Sequence, residues 1–298
     1  MKILFDFDGT LTNIQHEQEL ELSYLRSLVS KYCAIDQEAF DALYRLACDA
    51  IQQSPEQFGW CDNGRISAYC DEDLFMTVAS AMTLLDHWIE TADPRVESIR
   101  ALMLVSRKTF MEMTEETHAA LNAKPLCPFN TPEPDAVRAI LTLLDRDWEI
   151  VIASNSPASR IIEKCEFAGL KPVAHEDNPS ARFRIRGNAA KFRLGHSPDP
   201  VDFHGRTVDL SRPSYADIIS RERPQVVVGD VFSLDLALPF ELSRRDPMVY
   251  EDMQLYLRVR DYTPQWAVSC MLEPPEQSPA ISRLLNHFVD LPSLVLKH

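Results

Sequence analysis

The chain opens on a short apolar run, Ile3-Leu4-Phe5, that stops at Asp6 and is followed by Asp8, Gly9 and Thr10. A run of that length predicts a buried strand over residues 2–6. From about Gln15 to Asn122 the apolar positions recur every three or four residues instead, the spacing of amphipathic helices. In "ELELSYLRSLVSKYC", Leu22, Leu25, Leu28, Val29 and Tyr32 share one helical face, with Glu21, Arg26 and Lys31 off it. "DQEAFDALYRLACDAI" follows with Asp36 as N-cap, and "DEDLFMTVASAMTLLDHWI" repeats the pattern. "DPRVESIRALMLVSRKTFMEM" starts with Asp93 as cap and Pro94 at the first helical position. At least four helices are predicted in this stretch, and no strand.

Beyond it the texture alternates. "TPEPDAVRAILTLLDRD" reads as a helix, "WEIVIASNS" as a buried strand ending in small polar residues, and "SPASRIIEKCEFAGL" as a helix closed by Gly169. Later, "RPSYADIISRERP" is helical and "QVVVGD" is a strand. Strands alternating with helices predict an α/β fold, a parallel sheet covered on both faces. The helical stretch then interrupts this core after its first strand. "RFRIRGNAAKFR" alternates basic and apolar residues and predicts a short antiparallel strand pair turning near Gly187-Asn188. Towards the C-terminus, "TPQWAVSCM" suggests one more strand and "ISRLLNHFVDLPSLVL" one or two helices.

A length of 298 residues favours two domains. The balance of 45 acidic against 30 basic residues, net −15, argues against nucleic acid and against anionic membranes as partners. The seven cysteines are scattered without a CxxC pair, the usage of reduced thiols in a cytoplasmic chain. No signal-peptide pattern or apolar run of about 18 residues is seen. The expected setting is therefore cytoplasmic, with no membrane partner.

Three predicted strands end on polar residues: the first at Asp6-x-Asp8-Gly9-Thr10, the second at Ser154-Asn155, the third at Gly229-Asp230 with Asp235 shortly after. In an open parallel sheet, ligands bind at the carboxyl ends of the strands. Each cluster alone is ordinary; Asp230 by itself would be an N-cap and Ser154-Asn155 a strand-to-helix turn. Together they fit phosphoryl transfer. Asp6 is placed to attack phosphorus and become an aspartyl-phosphate, and Asp8 to protonate the leaving oxygen and later activate water. Asp6, Asp230 and Asp235, with Asp8 in the same acidic set, supply hard oxygen ligands for Mg²⁺. Ser154, Asn155, Thr10 and Gly9 are the candidates for holding the substrate phosphate. A cation is still needed for the transition-state charge.

These stretches resemble the motifs of haloacid dehalogenase-like (HAD) superfamily phosphohydrolases. "ILFDFDGTLT" resembles the first, hhhhDxDGT, "VIASNS" the second, and "VVVGDVFSLD" the fourth, GDxxxxD. The resemblance implies a Rossmann-like parallel-sheet core over residues 1–13 and 126–298. It also implies an all-helical cap domain over residues 14–125, an aspartyl-phosphate intermediate and Mg²⁺. For the third motif, a Lys or Arg, the Lys-Pro that opens the pre-GD helix in many relatives is matched by Arg212-Pro213. Arg212 is therefore placed ahead of Lys191, its rival in the basic stretch. The implied activity is a Mg²⁺-dependent phosphatase acting on a small phosphorylated metabolite. A phosphomutase using the same two aspartates, or a weakly catalytic regulatory protein, is the alternative. A dehalogenase needs neither an acid two residues after the nucleophile nor a metal. Arg65, in the segment that interrupts the helices, is a candidate substrate contact, and His16 reads as a surface helix residue. The motifs specify neither the substrate beyond its class nor an oligomeric state.

Overall fold

Ile3, Leu4 and Phe5 are all but inaccessible to solvent and form most of β1 (Lys2–Phe5), the central strand of the core. In this computed structural model, which describes residues 1–123, 126, 130–171, 174, 175, 178, 181–250, 252–273 and 280–295, helices α1 (Ile14–Cys33) and α2 (Gln37–Gln53) come next. A hairpin follows, β2 (Gly59–Asp62) and β3 (Arg65–Tyr69), and then α3 (Leu74–Glu90), α4 (Glu97–Ser106) and α5 (Phe110–Asn122). The chain continues through α6 (Pro134–Asp145), β4 (Glu149–Ala153), α7 (Ala158–Phe167), β5 (Ala174–His175) and β6 (Phe183–Arg186). A second hairpin, β7 (Pro200–Phe203) and β8 (Arg206–Asp209), precedes α8 (Pro213–Glu222) and β9 (Val226–Gly229). The last elements are α9 (Ala237–Arg245), α10 (Pro247–Tyr250), β10 (Gln254–Arg258), α11 (Gln265–Leu272), β11 (Ile281–Leu285) and α12 (Leu291–Val295).

Two compact units result. One holds Met1–Asn13, Trp60–Ala68 and Leu126–His298; the other holds Ile14–Gly59 and Tyr69–Pro125. The first is a Rossmann-like core. Its sheet runs β11-β10-β9-β1-β4-β6-β5, with every neighbouring pair parallel. Its central strands are covered on both faces and so read as near-continuous apolar runs, as Val226, Val227 and Val228 do. Phe5, Phe7, Ile140, Ile152, Ile161 and Phe288 belong to the cluster that packs against them.

The second unit is built of helices. Asp36 accepts from the Ala39 amide at 2.8 Å and Asp73 from the Met76 amide at 3.0 Å, each capping its helix. The single helix expected from Asp93 onward is two. Arg107 takes a left-handed φ of 55° that ends α4. Thr109 and Glu112 then form a reciprocal capping box that starts α5. Glu21, expected on the polar face of α1, is buried instead and lies 2.7 Å from His118 Nε2.

Four other expectations are overturned, the first being that residues 15–122 hold no strand, since the hairpin β2–β3 lies among them. The basic stretch is no antiparallel pair, because β6 lies parallel to β4, with Phe183 opposite Ile150. Arg184 and Arg186 point to one buried carboxylate, Glu222, at 2.8 and 2.6 Å, where Lys2 Nζ also arrives at 2.9 Å. Burial would raise the Glu222 carboxyl, but Lys2 and Arg186 outweigh it and bring it down to about 2. These arginines are internal counter-ions of the sheet. "TPQWAVSCM" supplies α11 rather than a strand, and "ISRLL" supplies the edge strand β11 rather than a helix. No helix among the described residues is long and apolar enough to cross a membrane.

Candidate active site

β1 lies between β4 and β9, and the register sets Phe5 opposite both Ile152 and Val228. Continuing each strand brings Asp6, Ser154 and Asp230 to adjacent tips at the carboxyl edge, beside the point where the strand order reverses. The Asp6 amide still donates to Val228 O at 2.8 Å, so the nucleophile candidate sits just past the end of β1, still tied to β9.

Around it the polar side chains converge. Lys191 Nζ lies 2.5 Å from Asp6 Oδ1 and 2.6 Å from Asp235 Oδ1. Thr10 Oγ1 is 2.7 Å from Asp230 Oδ1 and 3.1 Å from Asp6 Oδ2. One oxygen from each of Asp6, Asp230 and Asp235 lies within 4.8 Å of the others. Asp8 turns to other partners. Its Oδ2 accepts from Ser156 Oγ at 2.7 Å and faces Ser154 Oγ at 3.3 Å, while Lys164 Nζ stands 3.7 Å from its Oδ1.

The cluster suits a hard divalent cation on two grounds. Its donors are carboxylate oxygens, the chemistry Mg²⁺ prefers. The backbone around them is also pared back: a Cβ on Gly9 would stand 2.1 Å from Asp230 Oδ2, and one on Gly229 2.3 Å from Asp235 Cβ. Gly9 moreover has φ of +80°, where an L side chain is strained. Gly9→Ala is therefore expected to destabilise the protein by about 1–3 kcal/mol and to weaken Mg²⁺ binding. Thermal denaturation and calorimetric titration with MgCl₂ would measure the two effects.

Electrostatics follow from burial. Desolvation pushes the Asp6 carboxyl up, Lys191 pulls it back, Asp235 and Asp8 add to the rise, and it settles at about 7. Burial works against the Lys191 ammonium as well, yet Asp235 and Asp6 outweigh it and hold the group above the ordinary lysine range. Tyr215 completes this corner by donating its hydroxyl to Asp235 O at 2.8 Å.

The structure places Lys191, not Arg212, beside the aspartates. Arg212 is buried at the N-terminus of α8, and its guanidinium holds backbone: Nε donates to Asp209 O at 3.1 Å, Nη1 to Lys191 O at 2.7 Å, and Nη2 to Ser67 O. Lys191 reaches the site because the loop after β6 laces onto the tip of β4. Asn188 N donates to Ser156 O at 3.0 Å, Ala189 N to Ser154 O at 2.9 Å, and Lys191 N to Asn155 Oδ1 at 2.8 Å. Asn155 thus holds the Lys191 loop, and Ser154 orients Asp8. Arg65 pairs with Asp209 and donates to Gly195 O within the core unit, which commits its guanidinium to the protein itself. His16 lies on α1, 3.8 Å from Glu19.

Sequence reasoning missed Ser156, Lys164, Tyr215 and Arg260. Ser156 stood two residues beyond Ser154 but read as a helix start. Arg260 carries no motif at all. Its guanidinium donates to Gly9 O at 3.0 and 2.7 Å, to Thr12 O at 2.8 Å and to Glu133 Oε2 at 2.9 Å. The Glu133 amide in turn donates to Leu11 O at 2.8 Å. The chain leaving the core after Thr12 and the chain returning before α6 are thereby tied together.

No family model and no curated protein matches the chain. Among solved structures, the chain is similar to the Bacillus subtilis protein YfnB, described as a HAD hydrolase bound to magnesium. The identity is 10%, with 99% of this chain and 97% of that one covered, at a TM-score of 0.46. A Thermotoga maritima protein described as a β-phosphoglucomutase aligns at 13% identity over 99% and 97% of the two chains, with a TM-score of 0.42. The L-2-haloacid dehalogenase of Xanthobacter autotrophicus aligns at 16% identity over 99% and 98%, with a TM-score of 0.38. The chemistry of the site rests on the residues of this chain.

Proposed function

We propose that this chain, which has a HAD-hydrolase-like fold with an inserted helical unit, is a Mg²⁺-dependent phosphatase of a small phosphorylated metabolite. One observation carries the reading: Lys191 meets Asp6 and Asp235 at 2.5 and 2.6 Å, with Asp230 completing the carboxylate set, at the carboxyl edge of the sheet. In the first step an Asp6 carboxylate oxygen attacks phosphorus. The bond from phosphorus to the leaving oxygen breaks, and Asp8 gives that oxygen its proton. In the second, water attacks the aspartyl-phosphate at phosphorus, and its proton passes to Asp8. The bond to Asp6 breaks, inorganic phosphate leaves, and both aspartates are restored. Lys191 balances charge on the transferring group throughout. Ser154 and Ser156 keep the Asp8 carboxylate turned in one direction. Asp6, Asp230 and Asp235 would hold Mg²⁺, which when bound offsets the charge of the acid cluster and of the incoming phosphate.

The test is a phosphate-release screen over sugar phosphates, nucleotides and small phospho-acids, with and without Mg²⁺. The expected result is release from at least one class that depends on Mg²⁺ and stops on adding EDTA. Isomerised sugar phosphate without free phosphate would establish a mutase in its place. Silence across the screen, with no Mg²⁺ binding, would leave a non-catalytic role.

A further inference from the structure

The hairpin β2–β3 is encoded among the helices of the other unit, yet residues Trp60–Ala68 belong to the core unit. Its turn residues Asn63 and Gly64 have φ of 52° and 71°, the left-handed pair that a two-residue hairpin turn requires. Its side chains converge on one short segment, Lys191–Gly195. Asp62 accepts from the Leu194 amide and from Arg193 Nη1, both at 2.8 Å. The Leu194 amide, then Arg193, holds the Asp62 carboxyl below its usual range. Asn63 Nδ2 donates to Leu194 O at 3.1 Å, and Arg65 donates to Gly195 O. The Trp60 and Phe192 rings meet edge to face, with centroids 5.8 Å apart. Ser67 O receives Arg212, whose other nitrogen holds Lys191 O at 2.7 Å.

That segment needs holding. Ala190, immediately before Lys191, has φ of 49°, a conformation an L residue keeps only when its surroundings impose it. The ammonium beyond it is buried and must fall on two carboxylates at once.

We propose that the hairpin Trp60–Ala68 is a positioning element for Lys191. It fixes the backbone of Lys191–Gly195 so that the ammonium stays on Asp6 and Asp235, with Asp62 as the principal link. This rests on Lys191 being the cation of the phosphatase site, and it adds a remote group that sets where that cation stands.

Two measurements on the full chain test it. The first is the rate of acetylation of Lys191 by acetic anhydride, read by mass spectrometry against the exposed Lys31. The second is turnover of p-nitrophenyl phosphate with Mg²⁺. In Asp62→Ala, Lys191 labelling relative to Lys31 is expected to rise about tenfold or more. There kcat falls about 10- to 100-fold with KM within about twofold, the effect of misplacing a group by about an ångström. Asp62→Asn keeps an oxygen for the Leu194 amide and is expected to return both readouts towards wild type. Arg65→Gln, which leaves Asp62 intact, should move both in the same direction by less. Unchanged Lys191 labelling in Asp62→Ala overturns the proposal. So does raised labelling with wild-type kcat, or an Asn variant no better than Ala. A wild-type protein without turnover retires the phosphatase reading, and the labelling comparison alone then decides the role of the hairpin.

Discussion

Asp6→Asn is expected to abolish phosphate release, lowering kcat by at least about 10⁴-fold, because an amide cannot form the aspartyl-phosphate. The same change is expected to leave the metal-free protein as stable as wild type or more so, and the pH dependence gives the sign. The Asp6 carboxyl is pushed from 3.8 to about 7 in the folded chain. Folding therefore binds this proton more tightly than the unfolded state does. The associated stability is full below about pH 3.8 and is lost as pH rises through about 7. At pH 8 the wild type carries a buried carboxylate among Asp235 and Asp8, and the Asn variant does not. Melting temperatures in EDTA at pH 5 and pH 8 check this: the gain from Asp6→Asn should be larger at pH 8. Retained turnover in the variant would end the covalent mechanism.

Lys191→Met is expected to have the next largest effect, and on two quantities at once. Without the ammonium, Asp6 and Asp235 lose the cation that meets them at 2.5 and 2.6 Å. Removing one partner of a buried ion cluster destabilises by about 3–5 kcal/mol. The loss should be greatest in EDTA at alkaline pH, where the Asp6 carboxyl is driven to ionise without Lys191 to lower it. Mg²⁺ should restore part of it, because an ion that binds only the folded chain stabilises it by mass action. Turnover should fall about 10²- to 10³-fold even with saturating Mg²⁺, as for loss of one preorganised charge-stabilising group. Denaturant unfolding with and without Mg²⁺, beside steady-state rates, separates the two effects. A variant with wild-type turnover would return the cation role to Arg212.

The parts legible in the sequence are those where a local rule was broken conspicuously. Asp6 and Asp8 close an apolar strand on charge, and Gly229-Asp230 closes another; such endings fit a buried parallel strand only at its carboxyl tip. Lys191 was harder to place. It sits on a loop with no period, carried through left-handed positions at Asn188 and Ala190, and alanine gives no hint of such a conformation. Arg212 had the right charge before the right helix, but its planar fork was taken by three carbonyls. The first hairpin did carry a signal, Asn63-Gly64, hidden among helical periods on both sides. His204-Gly205 turns β7 into β8 in the same left-handed way, with φ of 50° and 81°. Between strand and helix, "TPQWAVSCM" offers only a short apolar run, and periodicity cannot decide such runs. The break between α4 and α5 was written as Thr109-x-x-Glu112 within a continuing apolar pattern.

Arg260 and Glu133 bear on how such a chain can vary. By tying the departing Gly9–Thr12 segment to the returning chain, they fix both ends of a long excursion at the edge of the site. For a loop whose ends are pinned, closure entropy grows only logarithmically, about 0.6 kcal/mol for each doubling of length. Changes of length in the flexible connections of the inserted unit are therefore expected to cost the anchored Gly9–Thr12 segment little. On the proposed role of the hairpin, what cannot drift freely is narrower: the two knotted ends, and the Trp60–Ala68 stretch that the excursion hands back to the core.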